Sequence, residues 1–256
     1  MLKTTFGTSR SWEKLGTSHR EILSTPGSWD NFRRTIASRY FTDSDYTEDD
    51  IKFTYDYLKK AGVRIDESDF AEGNPVHVEI DGKLVTQDLL VSASELHSME
   101  KVIDFKSIKT MVEIGGGYGR MALMMLQRYP HLDYTIVDVP PAIEISRRFL
   151  AKKFTVKSVS PSELQSLSRV DLFYSSSVMS ELGAPIVRSY FSTINRIGSK
   201  FYLKDWKRGH HTNDLDPRKE YVLNKLNTLS LLLRKKPFSW AMAHIDSHRI
   251  NENSYP

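Results

Sequence analysis

A cluster of glycines near the middle of the chain is the feature with the clearest chemical potential. The stretch TMVEIGGGYGRMALMML carries four glycines within five positions: Gly115, Gly116, Gly117 and Gly119. Glu113 precedes this loop, and a second acid, Asp138, follows about 20 residues later. A loop without side chains lets a ligand approach the backbone closely, and flanking carboxylates can hold cationic or hydroxyl groups. The pattern predicts a cofactor-binding loop.

Two classes of cofactor use such a loop, and the neighbouring residues distinguish them. A dinucleotide-binding loop, G-x-G-x-x-G, requires a third glycine at the position that Arg120 occupies here. The pattern acid-x-Gly-x-Gly-x-Gly is instead matched at every place, and it suits S-adenosylmethionine, which has a cationic sulfonium and no pyrophosphate. Glu113 would help to hold the ammonium group, and Asp138 would accept hydrogen bonds from the ribose hydroxyls. We therefore expect S-adenosylmethionine as the cofactor.

The elements around the loop alternate between strand and helix. The sequence predicts helices over residues 120–130, 140–153, 184–195 and 217–236, and strands over residues 110–115, 134–138, 154–159, 170–177 and 200–206. This alternation is typical of βαβ units, and right-handed crossovers then give an α/β fold with a doubly wound, mostly parallel, Rossmann-like sheet. We expect residues 106–256 to form this S-adenosylmethionine-binding domain.

The first hundred residues have a different pattern. Helices are predicted over 28–41, capped by Ser28 or Asp30, over 47–62, and over 89–103. Residues 76–86 alternate apolar and polar side chains around Asp81-Gly82, which indicates a β-hairpin. We expect residues 1–105 to be a mainly helical extension with a hairpin that acts as a lid over the acceptor site.

From Met111 to about Trp206 the chain resembles class I S-adenosylmethionine-dependent methyltransferases. The stretches VEIGGGYGR, YTIVDVP, DLFYSSSVMSEL and FYLKDW, with the N-terminal SWDNFRR, more specifically resemble bacterial sugar O-methyltransferases, which are associated with surface polysaccharide and glycan synthesis. The resemblance implies that the glycine loop and both acids line the cofactor, that Ser160 lies near the adenine, and that Ser175 and Ser176 lie near the methionine end. The class usually ends in an antiparallel hairpin, and residues 238–256 depart from that pattern.

O-methylation of a sugar benefits from a general base, because a sugar hydroxyl is a poor nucleophile at neutral pH. Four residues follow predicted strands and are candidates for the base: Glu181, Asp205, His210 and His211. Histidine titrates nearest to neutral pH, which favours the last two. Each candidate also has a structural interpretation, as a helix-start carboxylate, as the partner of a neighbouring lysine, or as part of an exposed polar loop.

Composition excludes several other classes. The 256 residues include no cysteine, which excludes disulfides and thiolate metal sites and fits a reducing compartment. No apolar leader and no run of about 18 apolar residues is present, so we expect a cytoplasmic protein without a membrane span. The formal charge of +4 is dispersed, so nucleic acid is not the expected partner, although a mild attraction for anionic substrates is open. Asn213, Asp214 and Asp216 offer oxygen ligands, but no spacing demands a metal, and none is predicted.

These features predict an S-adenosylmethionine-dependent O-methyltransferase. Its acceptor would be a sugar hydroxyl in a glycan or nucleotide sugar, methylated by in-line displacement with help from a general base. Methylation of a small non-sugar metabolite is the alternative, and a binding module that retains the fold without turnover is a third. The sequence leaves the oligomeric state open, including a homo-oligomer.

Overall fold

The computed structural model of the chain describes residues 10–36, 48–65, 71–179, 182, 184–204 and 241–242. The described residues of its N-terminal part form four α-helices and a hairpin, which we call the N-terminal layer: α1 (Arg10–Ser24), α2 (Phe32–Ile36), α3 (Glu48–Lys60), β1 (Val78–Ile80), β2 (Lys83–Val85) and α4 (Gln87–Glu100). Short 3₁₀ turns cover Ser28–Asn31, Phe105–Ser107 and Leu164–Ser166.

The rest of the described chain forms a six-stranded sheet with flanking helices. Its strands are β3 (Thr110–Ile114), β4 (Asp133–Val137), β5 (Lys157–Val159), β6 (Val170–Ser176), β7 (Gly198–Lys204) and β8 (Ala241–Met242). Its helices are α5 (Arg120–Arg128), α6 (Pro140–Leu150) and α7 (Ala184–Ile197).

The order of the strands reverses next to the glycine loop. The order is β5-β4-β3-β6-β7-β8, and each neighbouring pair is parallel. The chain runs outward from β3 to β5 and then returns to pair β6 with β3. Ligands of doubly wound sheets bind at the carboxyl ends of the strands where the order reverses, which here is between β3 and β6. The predicted doubly wound, parallel sheet is confirmed.

Both faces of this sheet are covered, because alternate residues of each strand point to opposite sides. Leu172 and Tyr174 of β6 belong to the apolar cluster shared with α5, α6 and the N-terminal layer. Phe173 between them belongs to the cluster formed with α7, together with Phe201 of β7. Strands of a parallel sheet that is covered on both faces are apolar at nearly every position. This explains why the strands could be predicted from short apolar runs in the sequence.

The turns of the N-terminal layer follow their sequence signals. The hairpin closes through Asp81 and Gly82, whose φ angles are 53° and 71°, as expected for an Asp-Gly turn. Helix α3 ends at a glycine in the left-handed region, Gly62 with φ 76°, and the Val63 amide donates to the Leu58 carbonyl at 2.9 Å. The hairpin and this helix end are confirmed.

Several boundaries differ from the prediction. Helix α1 was not predicted. Residues 28–36 form a 3₁₀ turn followed by α2. The 3₁₀ turn begins after Gly27, which is in the left-handed region with φ 79°, and no side chain caps it, although Ser28 or Asp30 was predicted as the cap of a helix here. The edge strand β8 pairs in parallel with β7 through Ala241 and Met242. The predicted helix over 217–236 lies outside the described residues.

A buried ion pair within the N-terminal layer also binds a residue of the glycine loop. The Arg33 side chain is 0% exposed, and its Nη2 donates to Oδ1 and Oδ2 of Asp88 at 3.2 and 3.0 Å. The hydroxyl of Tyr118, a residue of the glycine loop, donates to the same carboxylate. Tyr118 also packs edge-on against Phe149 of α6. Residues on both sides of residue 105 belong to one apolar cluster. The division of the chain into two domains at this residue remains a prediction.

Removal of the Asp88 carboxylate is expected to destabilise the fold strongly. The Asp88→Ala variant removes the charge that faces the buried Arg33 guanidinium, which typically lowers the free energy of unfolding by about 3–5 kcal/mol. Urea denaturation measures the change. Lys59→Ala is the control, because the Lys59–Asp81 pair is 60% and 54% exposed and should contribute nothing measurable. Similar, small effects of both variants would contradict this account of Asp88.

Candidate functional site

The glycine loop connects the end of β3 to the start of α5 at the reversal of strand order. The Gly115 amide donates to the Val137 carbonyl of β4 at 2.8 Å, and the Gly119 amide donates to the Gly116 carbonyl at 2.8 Å. Gly115, Gly117 and Gly119 have φ angles of 80°, 55° and 96°. L-residues rarely adopt these angles, so the loop requires glycine at three positions for conformational reasons alone.

The four glycines differ in what a side chain would meet. A Cβ added at Gly115 would lie 2.2 Å from Val178 Cγ2, and one at Gly116 would lie 2.7 Å from Ile136 Cγ2. A Cβ at Gly119 would lie 2.9 Å from a methyl group of Leu150. At Gly117 a Cβ would meet no heavy atom within 4 Å among the described residues. Three glycines therefore permit close packing, and Gly117 faces open space in which a ligand could lie.

Asp138 closes the loop onto the end of β4. Its Oδ2 accepts a hydrogen bond from the Gly117 amide at 2.9 Å, and its Oδ1 accepts one from the Val139 amide at 2.7 Å. Burial outweighs these two bonds and raises the pKa of Asp138 to about 6. Each carboxylate oxygen has a second lone pair, so Asp138 can still accept from two neighbouring hydroxyls, as a ribose would provide.

Glu113 lies beneath the loop. It is 3% exposed, and its Oε2 accepts a hydrogen bond from the Tyr134 hydroxyl at 2.9 Å. Burial raises the pKa of Glu113 to about 7, although the Tyr134 hydroxyl and the positive charge of Arg120 act in the opposite direction. From this position the side chain would act on a bound cation through its electric field, and a cation would favour the ionised form.

Ser160 marks the outer edge of the site. It follows β5 directly, next to Asp138, whose amide donates to the Val159 carbonyl at 3.3 Å. The amide and hydroxyl of Ser160 both donate to Oε2 of Glu163, at 2.7 and 2.6 Å. The position fits the carboxyl end of β5, and the expected proximity of Ser160 to the adenine remains a prediction.

Ser175 and Ser176 end β6 and point to opposite faces of the sheet. Ser175 is opposite Ile114 in the register with β3, is fully buried, and its Oγ has no hydrogen-bond partner among the described residues. Ser176 points toward the N-terminal layer and donates to Oε1 of Glu95 at 2.8 Å. Both serines therefore lie at the edge that carries the loop, but only Ser176 joins the charged groups on the side of α4.

Glu95 of α4 forms the centre of a buried charged cluster, which we call the Glu95 cluster. Its carboxylate accepts from the Tyr174 hydroxyl at 2.5 Å and from Lys204 Nζ at 2.8 Å, and it lies 3.6 Å from Arg120 Nη2. Burial would raise the pKa of Glu95, but the charges of Lys204 and Arg120 outweigh burial and lower that pKa to about 2. The side chain is fully enclosed and ionised.

Arg120 explains why the third position of a dinucleotide motif is not glycine here. Its Nη1 donates to the Asp88 carbonyl at 3.1 Å and to Ser92 Oγ at 2.5 Å, so the residue after the loop anchors α4. None of these partners was predicted from the sequence. Asp88, Ser92 and Glu95 recur at helical spacing and are at most 4% exposed. A polar stripe on a buried helix face was the signal that could have revealed them.

The candidates for the general base were not tested by the structure. Glu181, Asp205, His210 and His211 lie outside the described residues, as do residues 213–216. Helix α7 begins shortly after Glu181, and β7 ends at Lys204, directly before Asp205. In the part of the chain that is described, three or more His, Asp or Glu side chains nowhere converge as a metal site would require. None of the described helices has the length and apolar character needed to cross a membrane.

Comparison with known proteins gives a family match over the site. Residues 79–181 match the model of a family described as an O-methyltransferase domain. A stretch of 46 residues, 18% of the chain, is 39% identical to the bacteriochlorophyllide d C-20 methyltransferase of Chlorobaculum tepidum. That stretch covers 14% of the relative's own length.

Two solved methyltransferases are similar to the chain at low identity. An S-adenosylhomocysteine-bound methyltransferase of Podospora anserina, PaMTH1, is 15% identical, with a TM-score of 0.41 over 79% of this chain and 86% of its own. The mitomycin 7-O-methyltransferase MmcR is 18% identical, with a TM-score of 0.36 over 74% of this chain and 46% of its own. The sheet order and the family match identify a Rossmann-like methyltransferase fold. S-adenosylmethionine, the predicted cofactor, is the methyl donor of such domains, and that prediction is confirmed at this level.

Proposed function

We propose that this chain transfers the methyl group of S-adenosylmethionine to a hydroxyl oxygen of a small acceptor. The observation that carries the proposal is the open space at Gly117, directly beside the Asp138 carboxylate. Both residues lie within the stretch that matches an O-methyltransferase domain. A backbone without a side chain and an acceptor of two hydroxyl hydrogen bonds are the two groups that the ribose end of the cofactor needs.

The residues at this edge of the sheet would divide the binding of the cofactor. Asp138 would accept from the ribose hydroxyls, Gly117 would lie against the ligand, and Ser160 would border the adenine. Ser175 and Ser176 would border the methionine end. When bound, S-adenosylmethionine supplies a methyl group on a cationic sulfur that leaves readily. The contribution of the chain is then mainly to align the acceptor oxygen with that methyl group, which can lower a barrier by several kcal/mol.

The two acids beside the loop favour a cationic ligand. Glu113 and Asp138 are both buried, and their pKa values are raised to about 7 and about 6. A buried carboxylate with a raised pKa gains free energy when a positive charge or hydrogen-bond donors arrive beside it. A sulfonium and an ammonium provide that positive charge, whereas the pyrophosphate of a dinucleotide would add negative charge.

The acceptor hydroxyl must lose its proton as the new carbon–oxygen bond forms. Glu181, Asp205, His210 and His211 are proposed as the residues from which the general base comes, because each follows the carboxyl end of a strand or lies just beyond it. This is the edge where the methyl group would be presented.

A sugar hydroxyl is the first candidate acceptor, supported by the motif stretches that resemble bacterial sugar O-methyltransferases. A small non-sugar metabolite is the second candidate. It is supported by the match to the Chlorobaculum enzyme, whose name gives bacteriochlorophyllide d as the acceptor and C-20 as the methylated position, so this alternative includes methyl transfer to carbon. A module that binds without turnover would keep the affinity for the cofactor and show no methyl transfer.

Binding of S-adenosylhomocysteine is expected to depend on Gly117 and Asp138. Gly117→Val would fill the open space and Asp138→Ala would remove the acceptor of the ribose hydroxyls, so each should weaken binding at least tenfold in calorimetric titration. Gly82→Val is the matched control, because Gly82 also has a positive φ, of 71°, with nothing within 4 Å of an added Cβ. It introduces similar backbone strain away from the site. Absence of binding to the wild-type protein would contradict the proposed cofactor.

Binding of S-adenosylmethionine near pH 6 is expected to release protons. Glu113, with a pKa of about 7, is mostly protonated there, and a bound cation favours its ionised form. Affinity should therefore rise with pH up to about 7 and then level off. Calorimetry in buffers of different ionisation enthalpy counts the protons. The Glu113→Gln variant should lose the protons released by Glu113 and keep those released by Asp138. An unchanged number of released protons would contradict the role of Glu113.

One of the four candidate bases is expected to control the chemical step. A screen of nucleotide sugars, glycan fragments and non-sugar hydroxyl compounds with labelled donor would identify an acceptor. The rates of Glu181→Gln, Asp205→Asn, His210→Ala and His211→Ala are then compared. Loss of the base should lower kcat by about 10²–10⁴-fold without changing the affinity for S-adenosylhomocysteine. Four rates equal to the wild-type rate would remove all four residues from consideration.

A further inference from the structure

The Glu95 cluster exposes its cations and encloses its acid. The Glu95 side chain is 0% exposed, whereas Lys204 is 18% exposed and Arg120 is 25% exposed. The carboxylate therefore lies behind the two positive groups and holds them in place. A ligand that reaches this edge of the sheet would meet the lysine and the arginine, and not the acid.

The cluster also has more positive than negative charge. Lys204 and Arg120 share the single carboxylate of Glu95, which leaves a surplus of one positive charge. Asp88 is already paired with Arg33 at 3.0 Å. Glu113 also acts on Arg120, but with a pKa of about 7 it is only partly ionised at neutral pH. The described groups around Arg120 and Lys204 thus leave these two cations able to accept a further negative charge.

Lys204 is separated from the ribose end of the proposed cofactor site, whereas Arg120 directly follows the glycine loop. Gly117 and Asp138 lie at the ends of β3 and β4, whereas Lys204 ends β7, two strands beyond β3. Two strand spacings correspond to about 10 Å. Ser176 and Tyr174 of β6 contact the cluster on the face covered by α4. The surplus charge therefore lies on the side of the N-terminal layer, which is expected to shape the acceptor site.

We propose that Lys204 and Arg120 form a subsite for a phosphate group carried by the acceptor. This inference rests on the proposed function and narrows it to phosphate-bearing acceptors, such as a sugar phosphate or a nucleotide-linked sugar. Arg120 offers planar guanidinium donors and Lys204 a compact charge, a combination that suits phosphate oxygens. Glu95 orients both cations without contacting the ligand, so it is a positioning residue.

The test measures phosphate binding by calorimetry on the full chain, with and without saturating S-adenosylhomocysteine. Inorganic phosphate and glucose 1-phosphate should bind, glucose should not, and affinity should fall as salt is raised. Lys204→Met should weaken phosphate binding about tenfold or more. Glu95→Gln should strengthen it, because this change removes the competing negative charge and keeps the shape. Lys152→Met is the control, since Lys152 is 68% exposed in its pair with Glu72, and it should leave phosphate binding unchanged.

The opposite signs expected for the two cluster variants separate a binding site from a purely structural ion pair. Melting temperatures establish that each variant is folded. Failure of the wild-type protein to bind phosphate, equal weakening by Lys204→Met and Lys152→Met, or weakened binding in folded Glu95→Gln would each overturn the proposal. Phosphate could also compete with S-adenosylhomocysteine but not with 5′-methylthioadenosine. In that case Lys204 and Arg120 would bind the carboxylate of the methyl donor, and their assignment to the acceptor would be overturned. Loss of the cofactor hypothesis would appear separately, as absent S-adenosylhomocysteine binding.

Discussion

Two carboxylates buried on one helix, Asp88 and Glu95 of α4, impose the main constraint on this structure. An ionised group in the interior must be paired and hydrogen-bonded, because the cost of removing it from water is several kcal/mol. Arg33 pairs with the Asp88 carboxylate, whereas Arg120 lies beside the Glu95 carboxylate and donates to the backbone carbonyl of Asp88. Since Arg120 directly follows the last loop glycine, the pairing of α4 also fixes the exit of the loop. The N-terminal layer and the glycine loop are therefore mechanically coupled.

The coupling bears on how the loop could bind a ligand. The amides of Gly115 and Gly119 donate to backbone carbonyls, the Gly117 amide donates to Asp138, and the hydroxyl of Tyr118 donates to Asp88. Little conformational freedom remains in the loop, and a ligand at Gly117 would have little ordering of the backbone to induce. Preorganisation of this kind raises affinity because the entropy of ordering is lost on folding and not on binding. The N-terminal layer thus contributes to the proposed cofactor site although it contains none of the predicted cofactor residues.

The sequence allowed the sheet, the loop and the hairpin to be predicted because each has a local signal. Glycine spacing, apolar strands alternating with helices, and the Asp81-Gly82 turn all lie within short windows. The Glu95 cluster has no such signal, since Glu95 and Lys204 are separated by 109 positions and only the folded sheet brings them together. Helix α1, which packs on α6, was also missed, although Leu15, Ile22 and Leu23 recur at helical spacing.

The three buried acids at this edge differ in charge because their partners differ. Glu95 faces two cations and its pKa is lowered to about 2, whereas Glu113 and Asp138 face hydroxyl and amide donors and their pKa values are raised to about 7 and about 6. Burial is common to all three, so the placement of Lys204 and Arg120 decides the outcome. The site is consequently polarised, with carboxylates at β3 and β4 that would gain from a cation, and with surplus positive charge on Arg120 after the glycine loop and on Lys204 at the end of β7. A cationic methyl donor and an anionic acceptor would each find complementary charge, which would favour their binding side by side in the orientation that methyl transfer requires.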